Sequence, residues 1–369
     1  MSLPSKFRLH SLFISDCLFR LGLRKTGIAF ANHFLLPEHR YVMNIAYANY
    51  ALTCGDEEGW LSFVNLFLRH FDLPPLSITG RGSIFCRFSV SGVAPCFDPR
   101  KISVILPVFN SEETIECAIR SILAQSWRNL ELVVVDDASS DSTPAIVSRL
   151  VREDCRIKYL RNKVNVGPYV SKNIGLGVCT GTFVTGQDAD DWSHPCRLER
   201  QVKRMDDSGD VRASVGYMLR MAPSGFFTHI SRVSPFTFDG VTRKSLISFL
   251  CDRETLNKTL GYWDSVRFGA DSEMLARAKA VLGDSFAEYR DIGMVCLSAK
   301  NSLTNDRRLG VSRLTGLSPV RREYMKSWQA WHQRYLTAES AYLPFLQTTR
   351  RYRADSEMIV DKSIFEKLL

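Results

Sequence analysis

The sequence predicts an α/β protein: a mostly parallel sheet with helices on both faces, preceded by a small helical segment. Three observations predict it. From Lys101 onward, short β-branched apolar runs alternate with stretches of helical periodicity. Those runs, "KISVILPVF" and "LELVVVDD" among them, are almost continuously apolar, as strands buried on both faces are. Up to about residue 75 the apolar residues recur at helical spacing instead.

The elements follow in order. "YVMNIAYANYALTCGDEEGWLSFVNLFLRHFDLPPL" reads as two helices around the turn "CGDEEG", stopped by Pro74 and Pro75, with Trp60, Phe63, Val64, Phe67 and Leu68 on one face. The pair resembles a single tetratricopeptide-like repeat, which cannot bury its own face, so it is expected to pack on a neighbour as an accessory or partner-binding element. The Gly- and Ser-rich stretches "SITGRGSIFC" and "SGVAPCFDPR" mark a boundary. The first strand comes next, then a helix from "NSEETIECAIRSILAQS" capped by Asn110 or Ser111, then the second strand. "SSDSTPAIVSRLV" begins a helix with Thr143 as cap and Pro144 at its first position. "RIKYLRN", "VGPYVSKNIGLGV" and "GTFVTG" supply a third strand, a third helix and a fourth strand. The expected divisions are 1–98, a helical accessory segment and linker; 99–300, the α/β domain; and 301–369, a basic helical tail.

Composition excludes several classes. The chain is 45% hydrophobic and 24% charged, ordinary for a globular protein. No run approaches the ~18 apolar residues of a membrane span, and Asp16 interrupts the apolar N-terminal stretch, against a signal peptide. The ten cysteines form no C-x-x-C pair, which favours reduced thiols and a cytoplasmic location over disulfides or zinc. The net charge of +9, much of it in arginines from Arg307 to Arg353, fits an anionic ligand, a phosphorylated substrate or peripheral contact at the inner face of a membrane; a solvated basic face is the plain alternative. No nucleic-acid module accompanies the charge, so no nucleic-acid partner is expected.

Ligands of such sheets bind at the carboxyl ends of the strands. The unusual residues fall there: Pro107, Phe109 and Asn110 after the first strand, Asp136 and Asp137 at the end of the second, Asp188, Asp190 and Asp191 after the fourth. Like charges so close repel, and a hard divalent cation with oxygen ligands is the natural neutraliser. The two acidic sets are expected to share one rim and one cation-holding cup.

"ISVILPVFNSEETI", "LELVVVDDASSDST", "NVGPYVSKNIGL" and "GTFVTGQDADDWSHPCRLERQ" together resemble, over roughly 100 residues in order and spacing, the core of family 2 glycosyltransferases with the Rossmann-like GT-A fold. The resemblance implies a donor site in which Pro107, Phe109, Glu112, Asp136 and Asp137 hold base and ribose. Lys172 lies near the base or phosphates, where arginine is commoner. Asp188 and Asp190 form the D-x-D element, and Asp190 is the nearer ligand of Mn²⁺ or Mg²⁺. It also implies a nucleotide-sugar donor, a UDP-sugar first, and a glycan or lipid-linked acceptor in surface polysaccharide biosynthesis. "LGYWDSVRFGADSEMLARA" resembles the acceptor-side segment, with Asp271 as catalytic base and Glu273 second; Ala270 stands where relatives carry Glu. Helix capping is the plain alternative for Asp271. Direct attack by one hydroxyl implies inversion.

The remaining features are open. Arg232, Arg243 and His229 are placed to contact sugar or phosphate, or to serve structure. His332 could reach the diphosphate if the tail folds over, although Trp328 and Trp331 beside it read as packing. "NSLTNDRRLG" could close as a lid carrying Arg307 or Arg308. Two rivals remain. A sugar nucleotidyltransferase needs a glycine-rich loop that "LPVFNSEE" lacks. The other is a catalytically silent protein of the same fold, working as an assembly module through its N-terminal helices.

Overall fold

The computed structural model describes residues 10–298, 308–312, 316–345, 347 and 349–360. Nine strands form its main sheet: β1 (Ile102–Val108), β2 (Leu130–Asp136), β3 (Ile157–Arg161), β4 (Phe183–Gly186), β5 (Asp191–Ser193), β6 (Ala213–Met221), β7 (Arg243–Lys244), β8 (Leu250–Asp252) and β9 (Phe286–Leu297). They lie in the order β3-β2-β1-β4-β8-β6-β9-β5, with β7 on the side of β6. The first four run parallel. β8 is antiparallel to both β4 and β6, and β9 is parallel to β6 but antiparallel to β5.

Every residue of β1 and β2 is buried, and the side-chain alternation of strands decides where each goes. Ile105, Val133 and Val135 face the core shared with α7 (Pro168–Val178). Val104, Leu106, Leu132 and Val134 face the opposite core, with α5 (Ile115–Leu123) and α6 (Thr143–Glu153). α7 comes so close that a Cβ on Gly175 would stand 2.7 Å from Ile105 Cγ2.

Two helix starts differ from expectation. α5 begins at Ile115, because the residues expected to cap it are engaged elsewhere. Asn110 is held at φ 46° and accepts from the Ser140 amide, and Ser111 Oγ donates to Phe109 O while its N–H donates to Thr143 Oγ1. Ser142, not Thr143, is the N-cap residue of α6. The loop after β1 is therefore buttoned to the loop after β2. β5 to β9 complete the sheet beyond the alternating pattern.

Among the described residues, four α-helices precede the sheet: α1 (Ser11–Arg20), α2 (Arg24–Phe34), α3 (Met43–Thr53) and α4 (Glu57–Arg69). Asp56 caps α4 by accepting from Gly59 N–H at 2.7 Å. The apolar face of the α3/α4 pair is covered by the chain itself. Trp60, Val64, Phe67 and Leu68 share one core with Leu219, Met221, Phe227, Ile292, Val295 and Leu297 from β6, β9 and the segment after β6. Two further helices, α8 (Arg197–Asp207) and α9 (Ala270–Leu282), pack on the sheet. α10 (Pro319–Tyr335) buries Tyr324 and Trp328 in the core that also holds Met274 of α9. The ten cysteines are free thiols, and no helix among the described residues is long and apolar enough to cross a membrane.

Candidate active site

The strand ends place two sets of groups at the carboxyl rim. The first follows β1 and β2. Pro107 is buried in β1, beyond the last β4 pairing at Ile105, and Phe109 stands exposed just after the strand. Glu112 accepts the Ser142 amide proton at 2.9 Å. Asp136 is fully buried, accepting from Ser139 N–H and Tyr159 O–H, each at 2.8 Å. Asp137 accepts from Val166 N–H (2.8 Å), Gly167 N–H (2.7 Å) and Asn162 Nδ2 (2.9 Å), tying the end of β2 to the start of α7. Both carboxylates are thus engaged with this chain's own donors.

The second set follows β4. Asp188 and Asp190 are partly exposed, while Asp191 is buried in β5. Burial raises all three, and a neighbouring carboxylate adds to it in each case. The Asp190 carboxyl is pushed up to about 6 by burial and then by Asp188, against the pull of Arg220. Asp188 is raised by burial and Asp271, partly offset by Lys172. Asp191 is raised well above the ordinary range by burial, Asp190 and Asp188. The backbone beneath these acids is braced: Gln187 Nε2 donates to Asp191 O at 2.6 Å, and Ser193 Oγ donates to Gln187 Oε1 at 2.7 Å. Arg197, buried and pushed down to about 10 by that burial, donates to Gln187 Oε1, Ser193 Oγ, Thr185 Oγ1 and Gly186 O.

Asp271, at the start of α9, joins this second set although it is more than eighty positions away. Lys172 Nζ donates to its two oxygens at 3.1 and 3.3 Å, and Tyr169 O–H donates at 3.0 Å. Lys172 is 3% exposed, yet the Asp271 and Asp188 carboxylates hold it charged against the effect of burial. Lys172, Thr185, Gly186, Ile247, Trp263 and Asp271 line one small cleft beside the acidic turn.

Asp136 and Asp137 are bound within the first set, whereas Asp188, Asp190, Asp191 and Asp271 interact electrostatically with one another. Among the described residues no three His, Cys, Asp or Glu side chains form a metal-holding group. Two repelling, partly exposed carboxylates are an oxygen donor set that suits a divalent cation whose remaining ligands are phosphate oxygens.

Other candidates find structural places. Glu273 is fully buried, held by Arg277 (Nε to Oε1, 2.9 Å) and His332 Nε2 (3.0 Å), and lies at about 2 because the Arg277 charge and the hydrogen bonds from His332 and Arg277 outweigh burial. It is a clasp between α9 and α10, not an available base, and His332 is spent on it. His229 (φ 63°) lies with Nδ1 2.9 Å from Thr228 Oγ1, and Arg232 stacks over Phe13. Residues 299–307, with most of the lid segment and Arg307, lie outside the described residues; Arg308 pairs with Glu357 at 2.8 Å. Several tail arginines serve the fold: Arg351 donates to Ser340 O and Tyr342 O, and Arg321 to Leu309 O.

Residues 103–270 match the family model described as glycosyl transferase family 2. Over that stretch the chain is similar to family 2 glycosyltransferases. The chain's relatives include the succinoglycan biosynthesis protein ExoO of Rhizobium meliloti, 32% identical over 198 residues that make up 49% of this chain and 56% of that protein. They also include the GalNAc(5)-diNAcBac-PP-undecaprenol beta-1,3-glucosyltransferase of Campylobacter jejuni, 47% identical over 92 residues, 25% of this chain and 30% of that one. The chain thus spans about half the length, or less, of these curated relatives. Among solved structures, S. aureus TarS 1-349 in complex with UDP is similar at a TM-score of 0.42 and 21% identity, over 54% of this chain and 61% of that one, too loosely to bear on function.

Sequence reasoning missed Arg220 of β6. Its guanidinium donates to Leu297 O at 3.1 Å and is held charged, against burial, by Cys296, Asp191, Asp190 and Asp188. The alternation in "ASVGYMLRM" signals a strand, but only the sheet order brings that strand to the acids.

Proposed function

We propose that this chain is a metal-dependent, inverting glycosyltransferase that moves a hexosyl or aminohexosyl group from a nucleotide-diphosphate donor to a hydroxyl of a glycan or lipid-linked acceptor. The observation that carries the proposal is Asp271 brought, through Lys172, against the acidic turn after β4. Similarity to the family and relatives named for succinoglycan and undecaprenol-linked glycan synthesis support surface polysaccharide biosynthesis as the setting.

Phe109 and the loop it opens would border the nucleotide. Asp190 and Asp188 would hold Mn²⁺ or Mg²⁺, which when bound supplies positive charge where the leaving diphosphate becomes more negative. Asp271 would accept the proton of the attacking hydroxyl, whose oxygen bonds to the anomeric carbon as the bond to the diphosphate oxygen breaks. Lys172 and Tyr169 orient the Asp271 carboxylate for that proton. Attack from the face opposite the leaving group inverts the anomeric centre.

The decisive experiment is hydrolysis of nucleotide sugars, UDP-sugars first, with Mn²⁺, by the parent chain and Asp190→Ala. Metal-dependent turnover lost in the variant supports the proposal. Absence of metal-dependent turnover with any donor would instead favour a silent assembly module.

A further inference from the structure

The segment 222–241 leaves β6 after Met221, next to Arg220, whose guanidinium stands among Asp188, Asp190 and Asp191. It turns back over the strand end: Thr228 N–H donates to Arg220 O at 2.8 Å, and Phe227 bridges to Met221. It holds no helix and only isolated bridges, so its shape must be fixed by what it touches.

The N-terminal helices fix it. Asn49 of α3 clasps one residue twice: Phe227 N–H donates to Asn49 Oδ1 at 2.7 Å, and Asn49 Nδ2 donates to Phe227 O at 2.9 Å. Trp60 of α4 donates from Nε1 to Gly225 O at 2.9 Å. Its indole lies nearly parallel to Phe88 and Phe227, with centroids 6.1 and 5.7 Å away. Tyr41 O–H donates to Asp239 Oδ2 at 2.9 Å, while Asp239 Oδ1 accepts from Val241 and Thr242. Asn49 and Trp60 are both buried, so a polar side chain and an indole N–H are given up to this segment. None of these three residues lies within 103–270.

The sheet order gives the segment its side. Running from β2 through β1 to β4, then β8 and β6, the rim passes the loops after β1 and β2, then the acidic turn, then segment 222–241. A donor whose nucleotide lies at the β1 and β2 end presents its sugar toward this segment.

We propose that the N-terminal helices are the scaffold of the acceptor half of the cleft, and that Asn49, Trp60 and Tyr41 are positioning residues that fix segment 222–241 as the wall against which a glycoside acceptor binds. The inference rests on the glycosyltransferase function proposed above. The helices then act in acceptor recognition without touching either substrate.

The test uses the full chain, with Asn49→Ala and the milder Trp60→Phe, which keeps an aromatic ring but removes the N–H. Three quantities are measured: amide hydrogen exchange of residues 222–241, affinity for UDP with Mn²⁺, and KM and kcat for transfer to a set of octyl mono- and disaccharide glycosides. The expected result is exchange in 222–241 at least tenfold faster, UDP affinity and donor hydrolysis within twofold of the parent, and acceptor KM raised at least tenfold with kcat little changed. Unchanged acceptor KM in both variants overturns the proposal, as does exchange in 222–241 no faster than in the parent. A parent chain that hydrolyses the donor but transfers to none of the glycosides overturns the assignment of this wall to a glycoside acceptor. A parent chain with neither UDP affinity nor donor turnover instead overturns the underlying function.

Discussion

Lys172 and Asp271, ninety-nine positions apart, meet as a salt bridge in which one ammonium group contacts both carboxylate oxygens, at 3.1 and 3.3 Å. The lysine is buried and the carboxylate is the better exposed partner, with side-chain exposures of 3% and 18%. Asp271→Asn is expected to keep the fold and lower transfer at least ~100-fold, the usual scale for loss of a positioned base. A variant that transfers at the parent rate would end the assignment. Removing one member of a buried pair typically costs about 3–5 kcal/mol. Thermal melting should register that cost in Asp271→Asn more than in Lys172→Met, because Asp271→Asn strands the charge of the buried lysine, whereas Lys172→Met removes that charge and leaves a partly exposed carboxylate still bonded to Tyr169.

The acidic turn gives a pH dependence with a definite sign. The folded chain pushes the Asp190 carboxyl up to about 6, so it holds its proton more tightly than the unfolded chain does. Between the ordinary aspartate value and about 6, stability therefore falls as pH rises, and at neutral pH the ionised group is a standing cost. Asp190→Asn should melt higher than the parent at pH 7 without added metal, by roughly 1–3 kcal/mol of stability, and the difference should vanish near pH 4. Mn²⁺ with UDP should raise the melting temperature of the parent but not of the variant. That gain should weaken as pH drops through about 6, where the carboxylate takes up its proton.

Glu273 has the opposite sign. Arg277 and His332 hold it near 2, so its contribution is full above the ordinary glutamate value and is lost as pH falls from there toward 2. Glu273→Gln leaves the buried Arg277 guanidinium without its carboxylate and is expected to cost about 3–5 kcal/mol. His332→Ala should cost less, roughly 1–3 kcal/mol for one hydrogen bond to a charged group. Neither should change affinity for Mn²⁺ and UDP, measured by titration calorimetry. A large loss of affinity in His332→Ala would restore that histidine to the site.

Asp137 accepts three hydrogen bonds that join β2 to the start of α7. Asp137→Ala leaves two buried backbone amides unpartnered, at about 1–3 kcal/mol each. Because α7 carries Lys172 and Tyr169, weaker donor binding should come together with a lower melting temperature. If donor affinity fell at unchanged melting temperature, the carboxylate would be a ligand contact rather than a brace.

The parallel half of the fold was legible because its signals are local. Val104, Leu106, Val133 and Val135 announce buried strands, and the turn acids announce where those strands end. The antiparallel half was not. β5 is three residues long and β8 is three, too short for any period to show, and their partners lie far along the chain. Asp188, Asp190, Lys172 and Asp271 were visible as candidates, but that Lys172 would grip Asp271 depends on α7 and α9 sharing one core. Asp136 and Asp137 show the converse. Their residue type and place are as expected, yet the amides and Tyr159 that claim them come from a loop, the edge strand and the start of α7. The α3/α4 face called for a neighbour, and nothing in its own spacing could say that the neighbour was β6 and β9.

That shared core bears on how the gene can be cut. A fragment trimmed to residues 103–270 would omit β9, the parallel neighbour along β6, and strip Leu219, Met221 and Phe227 of Trp60 and Phe67. Such a fragment would carry its signature acids on a half-open sheet with greasy flanks and would precipitate rather than bind sugar nucleotides. For this protein, the minimal working unit is set by where the oil is sealed, not by where family likeness begins and stops.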